Sequence, residues 1–366
     1  MHKPLPPALL RVLACWALAL LALVSPACAQ RRGALSPKRM LPHQTEKFKL
    51  SAIPGAAKGY PMTIQVGNFI RSDGKTFPVP SGHILRAGWT GIQIRWAVGD
   101  ELQPAPDSLE MLYFSYLEDT FYEGRFALPQ QQIHELLKQG YWDRQAGQQV
   151  TYNHFVVSVL PAGRVVVWLA GAGEQVLVGR YRAAPAPHTD FRRFYRTADR
   201  AEMWRDALAE AAPAVRQQAQ QHTLTAEQWD AYFALYPWQV AANVPVSLYR
   251  PHVIKYVNGE KSGEARTRDG MAAYNDALFE ARPRPAPAYL HFYFLAEHEA
   301  KYFARVDAFD EAETRAAFQR LAGEHPNAPI TLLFTFDKFY EKATVSLKNQ
   351  WREIPLLKST VELKRK

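Results

Sequence analysis

The feature that most limits how this 366-residue chain can fold is that its second half repeats the order of its first. Tyr113-Phe114 recurs as Tyr293-Phe294 at an offset of 180 residues, and the same offset carries Tyr122 to Tyr302 and Arg125 to Arg305. Tyr60-Pro61 recurs as Tyr236-Pro237. Aromatic residues make up 12% of the chain, so isolated matches arise by chance, but a repeated order of strands, helix and strands does not. Two diverged copies of one module are therefore expected. The length agrees, at about 150 residues per domain.

The local patterns fill in each copy. Residues 92–98 alternate, placing Ile92, Ile94, Trp96 and Val98 on one face of a strand, whereas 111–117 is apolar on both faces, as in a strand covered on two sides. The spacing predicts a helix over 128–140, with Pro129 in the first turn, Ile133, Leu136 and Leu137 on one stripe and Gly140 as its stop. A hairpin follows over 152–160 and 164–169, and Leu160-Pro161-Ala162-Gly163 reads as a type I turn ending in a left-handed glycine. Between 188 and 236 the period lengthens to that of a helix. Asp199 with Glu202 marks one helix start and Thr225 with Gln228 another. In the second half Asp310, with Glu313 as cap partner, opens a helix running to Gly323, followed by strands at 330–336, 342–347 and 358–363.

The fold class expected is α+β: two related modules, each an antiparallel β-sheet with one packed helix, joined by a helical connector. The boundaries read as a signal peptide over 1–29, a basic surface arm or tether over 30–59, a first module over 60–187, the connector over 188–235 and a second module over 236–366.

The leader reading rests on an uninterrupted apolar stretch of 13 residues, 12–24, preceded by Lys3 and Arg11 and followed by Ser25, Pro26 and small residues. It is too short for a membrane span and suits a signal-peptide core, so no transmembrane segment is expected after cleavage. Ala27-Cys28-Ala29 obeys the small-x-small rule and releases a chain beginning at Gln30. The competing reading makes Cys28 a lipidated cysteine, against which stands Pro26 where a lipobox carries a small residue. Cleavage removes Lys3 and Arg11, so the formal charge falls from +9 to +7, and it removes Cys15 and Cys28, which leaves no free thiol for disulfide, zinc or nucleophilic chemistry. Export turns the positive charge away from nucleic acid and towards an envelope surface, an acidic protein partner or plain solubility.

The residues hold few constellations with chemical meaning. A Gly-rich phosphate loop, His-Glu-x-x-His and Gly-x-Ser-x-Gly are all missing. Glu297-His298-Glu299 is the densest polar group. On a strand only Glu297 and Glu299 would converge, a poor metal site, so neither metal nor cofactor is expected. Glu118 and Asp119 are adjacent carboxylates at the end of the strand at 111–117, a solvated strand end more readily than a glycosidase pair. Among the aromatic side chains Trp96 and Trp168 read as core. Arg125, in an otherwise apolar strand, needs an acceptor, with Glu118 or Glu123 at hand. The candidate ligand-binding residues are Glu118, Tyr122, Arg125 and Trp168, and no catalytic residue is assigned.

Tyr60-Pro61, Gly88-Trp89, the run from Leu112 to Glu118 leading to Phe121-Tyr122, Leu128-Pro129, and the stretch from Leu160 through Trp168 to Gly171 together resemble the DUF2931 family of exported bacterial proteins. The resemblance covers about residues 60–180 and, more weakly, 236–350. Here Tyr113 or Phe114 replaces the family's usual Trp, and Pro161-Ala162-Gly163 replaces its common Pro-Gly-Gly. The second module lacks the turn and a counterpart of Trp168, which argues against a shared site there. The resemblance implies an envelope location and often a lipid anchor, and no activity. A non-catalytic binding or structural role in the envelope is the first expectation. An immunity or inhibitor role against an envelope-targeted toxic enzyme is the second, and a hydrolase of envelope polysaccharide using Glu118 or Glu297 is the third.

Overall fold

Strands in this chain pair into sheets that face one another, and the reason lies in which side chains alternate inward. The computed structural model describes residues 40–86, 88, 96 and 100–366; the leader and, Trp96 apart, the strand expected at 92–98 lie outside the described residues. Residues 42–366 form one compact unit.

The first module contains β1 (Ser51–Ala56), β2 (Met62–Ile70), β3 (Thr76–Pro78), β4 (Ser108–Ser115), β5 (Thr120–Ala127), helix α1 (Gln130–Gln139), β6 (His154–Leu160), β7 (Arg164–Ala170), β8 (Gln175–Arg182) and β9 (Ala184–Pro185). One sheet runs β9-β5-β4-β2-β3 and the other β1-β6-β7-β8. Phe69 on β2 and Phe77 on β3 meet Phe155 on β6, with ring centroids 4.6 and 6.1 Å apart. All three rings are fully buried, each contributing about 2–3 kcal/mol by removal from water. The core thus lies between two sheets. The expectation of one antiparallel sheet per module is corrected on this point, and also because β1 pairs parallel to β6.

The connector holds α2 (Phe191–Phe194), α3 (Arg200–Glu210), α4 (Pro213–Gln220) and α5 (Glu227–Asp230). Asp199 caps α3, its Oδ1 accepting from the N–H groups of Ala201 and Glu202 at 2.8 and 3.3 Å. Pro213 sits in the first turn of α4, which splits the expected continuous stripe into two helices. Thr225 does not cap α5: Ala226 takes that position, and Gln228 Nε2 instead donates to the Tyr60 hydroxyl at 3.1 Å.

The second module repeats the strand order of the first and also carries a short helix at Met271–Asp276. It comprises β10 (Tyr236–Ala242), β11 (Val253–Tyr256), β12 (Lys261–Ser262), β13 (Arg282–Arg284), β14 (Pro287–Leu295), β15 (Lys301–Val306), α6 (Glu311–Glu324), β16 (Ile330–Phe336), β17 (Ala343–Lys348), β18 (Glu353–Pro355) and β19 (Glu362–Arg365). β10 lies parallel to β16, as β1 lies to β6, and β14, β15 and β19 pair as β4, β5 and β9 do. The sheets again face each other, Phe292 against Phe334 and Phe294 against Phe336, both at 5.0 Å. Asp310 caps α6 through the Glu313 N–H at 2.8 Å. A single pairing, Gln175 with Lys261, fuses one sheet from each module into ten strands.

The copies correspond in space slightly differently from the residue matches. Tyr113 stacks on Tyr122 at 5.4 Å, and the equivalent stack in the second copy is Phe294 on Tyr302 at 5.6 Å, so the match slips by one residue at Tyr293. Tyr236-Pro237 opens β10, the counterpart of β1, and so does not correspond to Tyr60-Pro61.

Two further corrections concern segments rich in Pro and Gly. The arm over 30–59 ends in a strand, because Ser51-Ala52-Ile53-Pro54-Gly55-Ala56 forms β1 with Ala52, Ile53 and Ala56 buried. Pro54 is tolerated because β1 is a sheet edge. In the β6–β7 turn Ala162 and Gly163 both have positive φ, 56° and 75°, and the Arg164 N–H bonds to the Pro161 carbonyl. That is the primed turn that matches the twist of a hairpin, not type I.

Candidate functional site

Of the four candidate residues, the fold brings two together. Glu118 lies in the tight β4–β5 turn, where Asp119 has φ of 47°. Its Oε1 accepts from the Tyr122 hydroxyl and from the Ala162 N–H, each at 2.9 Å, and its Oε2 accepts from the Ser115 hydroxyl at 2.7 Å. The carboxylate therefore ties the β4–β5 turn to the β6–β7 turn. The left-handed Ala162-Gly163 pair presents the N–H that it binds, and Gly163 is required there: a Cβ would fall 2.3 Å from the Ala183 carbonyl oxygen. Burial and the adjacent Glu118 carboxylate push the Tyr122 phenol well above its ordinary value, so it stays a donor. Beside this knot is a cleft of about 300 Å³ whose walls include Thr120, Arg182, His222 and Leu224.

Asp119 turns elsewhere, to Arg200 Nε at 2.6 Å, so the adjacent carboxylates do not face a common point. Arg125 is exposed on the opposite face of β5 from Tyr122, across from Glu110, and has no ion pair to Glu118 or Glu123. Trp168 is fully buried in β7 with Gly259 of the second module against its ring, a core position near the joint between modules. Trp96 is exposed, contrary to its expected place in the core. Glu297-His298-Glu299 forms a single exposed 3-10 turn rather than a strand, with φ of 58° at His298 and Glu299. Among the described residues no three His, Cys, Asp or Glu side chains gather as metal ligands.

A larger cleft, of about 600 Å³, lies where α2 and α3 cross the outer face of β2 and β4. Its floor is polar and fixed. Gln65 Nε2 donates to the Tyr195 hydroxyl at 2.6 Å, that hydroxyl lies 3.3 Å from the Tyr116 hydroxyl, and Tyr116 in turn meets Thr63 Oγ1 at 2.9 Å. Gln65 is the extra residue of a β-bulge, for Ile64 pairs with Tyr113 and Val66 with Leu112, and the bulge turns its amide into the cleft. Burial pushes the Tyr195 phenol up, as does its hydrogen bond with Tyr116, so the Tyr195 hydroxyl keeps its proton. Met203, Ala207 and the exposed Ile84 supply apolar walls, and an Arg86–Glu210 ion pair closes one rim. Sequence reasoning missed this site; the aromatic cluster around Phe191, Phe194 and Tyr195 next to the expected helices was its one visible sign.

The family model for DUF2931, described as a protein of unknown function, matches residues 36–227, more than half of the chain. The chain belongs to the DUF2931 family. No curated protein and no solved structure matches it. The DUF2931 match begins ahead of β1, takes in the first module and reaches α5, so both clefts and all the residues that build their floors fall inside it. The second module lies outside that DUF2931 match, although its strands repeat the same topology.

Proposed function

We propose that this DUF2931 protein is exported to the cell envelope and acts there by binding, not by turnover, with the cleft between α2–α3 and the β2–β4 face receiving an uncharged ligand that has an apolar side and hydrogen-bonding groups. The observation that carries the reading is the cleft floor: hydroxyls and one amide, held in place by one another and flanked by apolar walls, form a preorganised recognition surface. Glu118 supports the same reading, because its two carboxylate oxygens are already engaged by three donors of the protein and serve to join two turns. Among the described residues no helix is long and apolar enough to cross a membrane.

Two measurements test this. Residues 1–29 fused to a reporter active only beyond the inner membrane should direct it outward; a reporter retained in the cytoplasm overturns the export reading. Native mass spectrometry of residues 30–366 with a library of neutral oligosaccharides and short peptides should give a bound species that Met203→Glu and Gln65→Ala abolish. Hydrolysis of any library member, or binding indifferent to both substitutions, overturns the binding reading.

A further inference from the structure

The two copies differ in what happens on the outer face of the equivalent sheet. In the first module Phe114 and Phe121 on that face pack against Phe191, and Phe114 also against Tyr195, so the connector covers it. In the second module the corresponding face of β14 and β15 is covered only in part: Phe303 on β15 is buried, but its neighbours keep some access to solvent. Leu290, Phe292 and Phe294 point inward to the core, which sends Tyr289, His291 and Tyr293 outward, all three partly exposed.

Register fixes their neighbours. Lys255 on β11 lies opposite Tyr289, Arg305 and Phe303 on β15 lie opposite His291 and Tyr293, and Lys301 lies opposite Leu295. These cations sit on the rings: Lys255 Nζ is 5.0 Å from the centroid of Tyr289, Arg250 Cζ 4.9 Å from that of Tyr293 and Lys366 Nζ 5.2 Å from that of Phe303. The carboxylates of the face, Asp307 and Glu362, are both taken by Arg305, and Glu362 also by Lys364. Among the described residues Arg250, Lys255, Lys301 and Lys366 have no acidic partner. Burial first, and then Arg305 and Arg144 against the opposing Asp307, lower the His291 imidazole to about 4, with a further contribution from Lys255.

We propose that this strip binds an acidic glycan, sugar rings lying along Tyr289 and Tyr293 while the acid groups meet Lys255, Arg250 and Lys301. Aromatic side chains with one wet end suit ligands that are apolar on one side and polar on the other, and unpaired cations over one face of each ring leave the other face for a sugar and select for negative charge. From Tyr289 to Tyr293 the strand advances about 13 Å, room for two to three sugar units. Preference for a glycan over a nucleic acid rests on the export reading above; preference for an anion does not.

The test is affinity electrophoresis of residues 30–366 through gels containing polygalacturonate, neutral dextran or single-stranded oligothymidylate. Polygalacturonate should retard the protein and dextran should not. The triple variant Arg250→Gln, Lys255→Gln, Lys301→Gln should weaken retardation about tenfold at an unchanged melting temperature, and Tyr293→Ala about fivefold at a temperature where its circular dichroism matches that of the folded parent. Met203→Glu, in the other cleft, should leave it unchanged, which separates this site from the one proposed for the first module. Equal retardation by dextran, tighter binding of the oligothymidylate than of the glycan, or retention of binding in the triple variant or in Tyr293→Ala overturns the proposal.

Discussion

Glu174 of the first module and Gly263 of the second are hydrogen bonded across the joint between the copies, the carboxylate Oε1 accepting the backbone N–H at 2.7 Å. The same oxygen accepts from the Glu264 N–H at 2.9 Å, and nearby Gln175 Nε2 donates to the Gly259 carbonyl at 2.8 Å and the Leu177 N–H to Glu260 Oε1 at 3.1 Å. A strand pairing of one residue pair is thus reinforced by side chains reaching from each copy to the backbone of the other. Glu174 is the buried member of that set.

Its burial makes the joint sensitive to pH. Desolvation outweighs the two backbone donors and pushes the Glu174 carboxyl from its ordinary 4.5 up to about 7. The folded chain therefore holds this proton more tightly than the unfolded chain does, and stability falls as pH rises from about 4.5 through 7. The loss is on the order of 3 kcal/mol at ~1.4 kcal/mol per unit. Urea denaturation at pH 5 and pH 8 should show the difference, and Glu174→Gln, which keeps the acceptor and removes the proton, should flatten it. An unchanged slope in that variant would assign the pH dependence to another group.

Glu118 offers a separate test of a structural role. Glu118→Ala removes the acceptor for three donors and leaves the Ala162 N–H and the Tyr122 hydroxyl to find water, which should cost about 2 kcal/mol. Glu118→Gln keeps an acceptor carbonyl and should cost less than half of that. Equal losses in the two variants, read from denaturant midpoints, would mean that the charge rather than the hydrogen bonding holds the turns together.

How far these features were legible depends on how local their causes are. Helix α1 announced itself because Pro129 and Gly140 sit at its ends, Gly140 with φ of 56°, and Asp199 and Asp310 revealed their helices because a cap acts within three residues. Glu118 and Tyr122 share a site because a hairpin folds four residues back on themselves. The large cleft was hidden because Gln65 and Tyr195 are 130 residues apart and meet through a bulge, which shifts side chains without altering composition. Strand β1 was hidden for the opposite reason: Pro54 and Gly55 look like a turn, and only an edge position with a partner a hundred residues away makes them a strand. Arg125 looked functional because its face was assigned to the interior, whereas the outward register places it opposite Glu110.

Trp168 should behave as core and not as a ligand contact. Trp168→Ala opens a large void beside Gly259 and should destabilise the fold by about 3–5 kcal/mol, detectable as a fall in melting temperature. Ligand binding by any Trp168→Phe protein that remains folded should match the parent. A binding defect at preserved stability would return Trp168 to the list of recognition residues.

The β6–β7 turn allows opposite substitutions at adjacent positions. Ala162 is an L-residue held at φ of 56°, a conformation that costs it about 1 kcal/mol and costs glycine nothing. Ala162→Gly keeps the N–H that Glu118 binds, so strain relief and the greater entropy of an unfolded glycine work against each other, and the net change should lie between zero and about 1 kcal/mol of stabilisation. Gly163→Ala has no such compensation, because φ is 75° and the new Cβ would sit 2.3 Å from the carbonyl oxygen of Ala183, whose N–H is itself hydrogen bonded to the Gly163 carbonyl at 2.7 Å. Backbone must move to admit it, and a loss of about 2–3 kcal/mol is expected. Thermal unfolding of the two variants side by side checks the primed turn directly: in a type I turn Ala162 would lie at negative φ, and Ala162→Gly would then be destabilising.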